Sequence, residues 1–215
     1  ATAKARVDQW TRDIAGETEG KALVKLLAQK PLIARMLASF AESSPFLWEL
    51  ATAEPPRLLT LLQADPDPYF AALISRSSAA VLRAKDDLQA MRTLRRMKAE
   101  ASLLIALCDI GGAWPIMRSA LALTELADGA VASAVRYLLA DAARDGRIAL
   151  PNPGRPDEGS GYVVLAMGKM GAFELNYSSD IDLIVFYDPD VAALKKDIEP
   201  GTFFVRLTQR LVKFL

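Results

Sequence analysis

The chain contains no histidine. That absence excludes Ser-His-Asp and Cys-His catalysis within it, and with them a zinc site of the usual His-containing kind. Cysteine occurs once, at Cys108, so no intramolecular disulfide can form and a reducing, cytoplasmic setting is expected. Cys108 lies in the apolar run LLIALCDI, where a small buried residue is expected rather than a reactive thiol. Neither sign of charge is in excess, because 26 Lys and Arg balance 26 Asp and Glu. Nucleic acid is thereby disfavoured as the main partner, since neutralising phosphates takes a basic surplus. No apolar run approaches the roughly 18 residues of a membrane span, and ATAKARVDQW lacks the apolar core of a signal peptide. The first residue is not Met, and the last stretch, FFVRLTQRLVKFL, stops in a helical apolar pattern. Both features predict a piece of a longer protein.

What is present is a composition that is 52% hydrophobic over 215 residues, enough for a real core. Residues 1–150 read as a helical domain. KALVKLLAQ, PLIARMLASFAE and PRLLTLLQAD carry apolar residues at i, i+3 and i+4. Pro31 can open a helix, whereas Pro55-Pro56 and the DPDP run at 65–68 predict connections. A longer amphipathic pattern runs from about Ser77 to Ile110, ended by Gly111-Gly112, and another from Pro115 to Asp145, closed by Gly146. The stretch PNPGRPDEGSG has no periodicity, so residues 151–160 form a linker. Beyond it YVVLAMG predicts a buried strand, DIDLIVFYD a second strand, and 202–215 a helix. The expected class is α+β, mostly α, with the strands in a small mixed sheet.

Two carboxylates interrupt the second apolar run. At i and i+2 of a strand, Asp180 and Asp182 share a face with Ile184 and Phe186, while Ile181, Leu183 and Val185 take the other. Two such carboxylates repel each other unless a cation sits between them, and burying both unpaired would be very costly. Oxygen ligands without His or Cys suit a hard ion such as Mg²⁺, which uses one or two carboxylates together with substrate phosphates. Upstream, Gly168 lets backbone approach a phosphate closely and Lys169 can add a point charge. The hydroxyls of Ser178 and Ser179 can orient the loop or contact phosphate. Together these elements suit nucleotidyl transfer.

GYVVLAMGKMGAFELNYSSDIDLIVFYD resembles the signature of the bacterial glutamine synthetase adenylyltransferase/adenylyl-removing family, within the DNA polymerase β-like nucleotidyltransferases. The helical stretch LRRMKAEASLLIALCDIGGAWPIMRSALALTELADGAV is also similar to that family's helices. The resemblance implies an incomplete nucleotidyltransferase core beginning at residue 161. It implies Asp180 and Asp182 as metal ligands for Mg²⁺, with Gly168, Lys169, Ser178 and Ser179 on the phosphate side. Asn176 and Ile181 match the adenylyl-removing copy, since the other copy tends to carry Gly and Leu there. The implied reaction is phosphorolysis: phosphate removes AMP from a tyrosine of glutamine synthetase, releasing ADP. Glutamine synthetase, a PII signal protein, nucleotide (ADP or ATP) and phosphate are the implied partners. The superfamily also uses a third carboxylate, in an Asp-x-Arg-Leu-Arg-Pro stretch that this sequence lacks, so the chain alone is expected to be inert. Adenylylation from ATP and a non-catalytic docking scaffold are the alternatives.

Other residues leave two readings open. Arg92, Arg95, Arg96 and Lys98 form either a solvated face or a contact for an acidic partner. Trp10, Trp48 and Trp114 are expected in the core or at a docking surface. Glu174 is either a partner for Lys169 or a plain surface charge.

Overall fold

The computed structural model describes residues 2–215. Its helices are α1 (Ala3–Ile14), α2 (Thr18–Gln29), α3 (Pro31–Ser43), α4 (Pro45–Ala53), α5 (Pro55–Gln63), α6 (Pro66–Leu82), α7 (Asp87–Ile110), α8 (Ile116–Arg144), α9 (Gly168–Gly171) and α10 (Pro200–Phe214). The strands are β1 (Ile148–Ala149), β2 (Tyr162–Ala166), β3 (Leu183–Tyr187) and β4 (Ala193–Leu194). The mostly helical α+β class is as the sequence predicts. The strands pair as β1–β4 and β2–β3, both antiparallel, so the mixed sheet expected is not formed among the described residues. No described helix is long and apolar enough to cross a membrane.

Proline opens more helices than the sequence reading allowed. Pro31, Pro45, Pro55 and Pro200 all stand in the first turn of a helix, where the missing N–H costs nothing. The DPDP run is likewise not a connection. Pro66 starts α6 and Asp67 supplies an acidic residue to its first turn. The pattern from Ser77 to Ile110 is also two helices rather than one, broken between Leu82 and Asp87. Two reciprocal side-chain bonds cap the start of α7: Asp86 Oδ1 accepts the Gln89 N–H at 2.7 Å, and Gln89 Oε1 accepts the Lys85 N–H at 2.8 Å. Gly112 and Gly146, at φ 73° and 67°, end α7 and α8 as expected. The N–H groups of Ala113 and Arg147 reach back to the carbonyls of Cys108 and Ala142, closing the last turns.

The chain divides into two compact units. One comprises the chain up to Ala71 together with Ala99–Ser119. Within it α3 packs on α1 and α4, and α2 on α5, around Leu23, Leu37, Phe40, Ala51 and Leu58. Trp10 meets Trp48 edge-on at 5.9 Å. Trp114 is buried, donates from Nε1 to Asp67, and lies under the Arg118 guanidinium at 4.5 Å. Cys108 is buried as expected. Burial above all, with the Asp67 charge, pushes its thiol up to about 11 against the opposing Arg118 charge, so at neutral pH it is no nucleophile.

The second unit comprises Ala72–Lys98 and Ala120–Leu215. Its strands rest on α10, whose Phe203, Phe204, Leu207, Leu211 and Phe214 form one buried apolar face. Tyr162 and Tyr187 are cross-strand partners, and both stack on Phe204, at 5.7 and 4.8 Å. The Tyr162 and Thr208 hydroxyls share a 2.9 Å hydrogen bond. Arg210 then ties α10 inward, donating to Asp87 at 2.7 Å and Asp141 at 2.8 Å.

Residues 151–160 contain no helix or strand, yet they are fastened. Arg136 grips Asp157 through two parallel bonds of 2.9 Å. Ser160, buried, donates to the Asp157 carbonyl and accepts the Tyr162 N–H, leading the chain into β2. Partial burial raises the Asp157 carboxyl, but the Arg136 hydrogen bonds and charge outweigh it and hold the group below its ordinary value of 3.8. A depressed carboxylate stabilises the fold above its ordinary value, and that contribution is lost as pH falls through the lowered one. Asp157→Asn is therefore expected to lose about 1 kcal/mol of unfolding free energy at pH 7. In denaturant titrations the gap from wild type should close as pH falls below 3.8.

Candidate functional site

The expected strand DIDLIVFYD is shorter than its sequence suggests. Regular β3 begins at Leu183, and Asp180, Ile181 and Asp182 lead into it without ladder partners of their own. The reason lies on the partner strand. β2 ends at Ala166, opposite Leu183, and the chain then turns into α9 at Gly168. One bond prolongs the ladder past its end, from the Met167 N–H to the Asp182 carbonyl at 2.8 Å. The alternation of the strand nonetheless runs on through the aspartates. Asp180, Asp182, Ile184 and Phe186 are exposed, while Ile181, Leu183 and Val185 are half-buried.

β2 is also not the buried strand that YVVLAMG predicts. Tyr162 is its only buried residue. Val163 and Leu165, opposite Phe186 and Ile184, are 49% and 46% exposed, leaving one face of the pair uncovered in this chain. A run of β-branched residues looks the same in sequence whether one face or both are covered.

The Gly168 turn meets the second aspartate directly. Gly168 has φ 54°, in the left-handed region, and a Cβ placed on it would lie 3.0 Å from Asp182 Oδ2. The left-handed backbone favours glycine here, and any larger residue would also have to push the Asp182 carboxylate aside. Lys169 follows on the single turn of α9 and is exposed. Its carbonyl accepts the Glu174 N–H at 2.8 Å, but no ion pair joins the two side chains among the described residues. Glu174 is accordingly a surface charge here. Phe173, between them, is held at φ 61°, a conformation that bulky residues rarely adopt.

Two anchors fix the loop that follows. Met170 and Leu175 are buried, and the Leu175 N–H is aimed at Thr124 Oγ1, 3.4 Å away on α8. Asn176 then gathers the serines. Its Oδ1 accepts from Ser178 N, Ser178 Oγ and Ser179 Oγ, and Ser179 Oγ accepts the Asn176 N–H. Neither serine is bonded to either aspartate among the described residues. Asn176 and Thr124 carry the loop's geometry, yet neither stands out as a site residue in the sequence. Asn two positions before Ser is a turn signal, whereas nothing at Thr124 announces a partner at Leu175.

Asp180 and Asp182 have no cationic side chain against them, and no third Asp, Glu, Cys or His gathers with them among the described residues. Exposed oxygen donors beside a backbone kept bare of a Cβ fit a hard divalent ion. The basic residues Arg92, Arg95, Arg96 and Lys98 are all exposed on α7.

A family model described as glutamate-ammonia ligase adenylyltransferase matches residues 23–215. The chain belongs to that family. Three of its relatives are bifunctional glutamine synthetase adenylyltransferase/adenylyl-removing enzymes. That of Bradyrhizobium diazoefficiens is 51% identical over 214 residues, covering 100% of this chain and 21% of its own length. The Rhodopseudomonas palustris (strain BisB5) relative is 53% identical over 213 residues, covering 99% and 21%. The Xanthobacter autotrophicus relative is 44% identical over 214 residues, covering 100% and 21%. The chain thus spans about a fifth of the length of these family members.

The Gly168 contact yields a direct expectation. Gly168→Ala should cost about 1–2 kcal/mol, from the left-handed backbone together with the crowded carboxylate. Chemical denaturation measures it, and an unchanged midpoint would show that the turn relaxes freely.

Proposed function

We propose that this chain belongs to the adenylyl-removing half of a longer enzyme of the family. The reaction is phosphorolytic removal of AMP from a glutamine synthetase tyrosine, releasing ADP. Residues 1–150 would be its helical domain, 151–160 the link and 161–215 the start of the nucleotidyltransferase core. A cytoplasmic setting and regulation through a PII signal protein go with this reading. The observation that supports the nucleotidyltransferase site is the pair of exposed aspartates, with no cationic side chain against them among the described residues and Asp182 lying against Gly168; the adenylyl-removing direction rests on Asn176 and Ile181.

In this reading Asp180 and Asp182 would hold Mg²⁺, which would supply a Lewis acid to offset charge on the phosphate of the transferred adenylyl group. Gly168 and the exposed Lys169 would line the phosphate side, with the Lys169 ammonium supplying charge. An oxygen of inorganic phosphate attacks the AMP phosphorus. The bond from phosphorus to the tyrosine oxygen breaks, the tyrosine oxygen keeps the electron pair and takes a proton, and ADP departs. Of the two roles open to Ser178 and Ser179, orienting the loop is the one their hydrogen bonds to Asn176 support. With only two carboxylates gathered, this chain by itself is proposed to be inactive. The relatives are named for both directions of transfer, so adenylylation from ATP is the second reading, and assaying full-length protein with each substrate separates them.

Asp180→Asn or Asp182→Asn in the full-length protein should reduce phosphate-dependent AMP release from adenylylated glutamine synthetase by at least about a hundredfold. Release at the wild-type rate in either variant would remove the substituted aspartate from the metal site.

A further inference from the structure

We propose that Asn176 is a positioning residue, one that fixes the turn delivering Asp180 and Asp182. The proposal deepens the metal reading above and rests on it.

Asn176 occupies a fixed point. The residue before it, Leu175, is buried with its N–H directed at Thr124 Oγ1 inside α8. Thr124 is itself wholly buried and donates back to the Ala120 carbonyl. From this point the Asn176 side chain reaches forward over its own turn. Its Oδ1 lies 3.1 Å from Ser178 N, 3.2 Å from Ser178 Oγ and 2.8 Å from Ser179 Oγ. The Ser178 N–H can only donate, so the atom it meets is the amide oxygen, and both hydroxyls point their protons at it. The backbone closes the same turn, with Ser179 N–H on the Asn176 carbonyl and Asn176 N–H on Ser179 Oγ, each at 3.2 Å.

Two consequences follow for the chemistry. Each serine hydroxyl has one proton, and it is committed to Asn176, so only lone pairs remain to face outward. Lone pairs repel a phosphoryl oxygen but tolerate a hard cation. The N–H groups of Ser178 and Ser179 are also consumed within the turn. The loop is therefore organised around its own geometry, and what it passes on is the placement of Asp180, next in sequence, and Asp182 beyond it. Asn176 is exposed, so its replacement does not open the core.

The test compares Asn176→Ala and Asn176→Asp with wild type in the full-length protein. Asp retains the side-chain acceptor that Ala removes. Backbone hydrogen exchange across 176–182 should speed up about tenfold in Asn176→Ala and stay near wild type in Asn176→Asp. Binding of Mn²⁺ alone, read by paramagnetic resonance, should weaken about tenfold in the Ala variant and recover in the Asp variant. The kcat for AMP release should follow the Mn²⁺ affinity, while KM for adenylylated glutamine synthetase stays within about twofold. Unchanged exchange in Asn176→Ala would overturn the proposal. So would faster exchange with wild-type Mn²⁺ affinity, or an Asp variant as impaired as Ala. Asp182→Asn serves as the control for the underlying reading. If it binds Mn²⁺ as wild type does, the metal assignment fails, and the exchange comparison alone decides whether Asn176 holds the turn.

Discussion

A single backbone bond, from the Met167 N–H to the Asp182 carbonyl, is the constraint on which the candidate site depends. It lies one step past the end of the β2–β3 ladder, where the partner strand has already begun to turn. Because of it, the Gly168 turn and the Asp182 carboxylate share one place rather than diverging at the strand ends. A residue other than glycine would strain the turn and press on Oδ2. Where the ladder ends, the aspartates escape burial, and two uncompensated charges become affordable at the end of an apolar strand pair.

The rest of the second unit holds that end still. Phe204 stacks under both Tyr162 and Tyr187, so α10 grips the strand pair at the end remote from the aspartates. Arg210 bonds α10 to Asp87 and Asp141, and Arg136 clasps Asp157 just before β2 begins. At the other end, Leu175 and Met170 sink the loop into the interior. The carboxylates are thus exposed on a frame fixed at both ends, an arrangement suited to groups that must meet a charged ligand without rearranging.

Much of this was legible in the sequence. Helical periodicity located α2, α3 and α8, the glycines at 111–112 and 146 marked true helix ends, and the Asp-x-Asp spacing carried over into alternating exposure. The misreadings have physical causes. Pro66 and Pro68 looked like a connection because proline breaks a helix interior, yet in the first turn it is at home. The break at 83–86 was hidden by apolar residues that keep helical spacing across it, although Asp86-Asp87-Leu88-Gln89 carries the capping signal. The start of β3 depends on where its partner strand stops, and no local pattern records that. Thr124 and Leu175 meet 51 residues apart, and only the fold brings them together. Family membership rests on the match across 23–215, while the direction of transfer rests on the readings of Asn176 and Ile181.

The most direct measurement is a crystal structure of the full-length protein grown with Mn²⁺ and ADP, read by anomalous scattering. An anomalous peak within coordination distance of both the Asp180 and Asp182 carboxylates, with the nucleotide's phosphates beside Gly168, is the predicted result. Ordered ADP with its metal held elsewhere, and no peak at either aspartate, would contradict it.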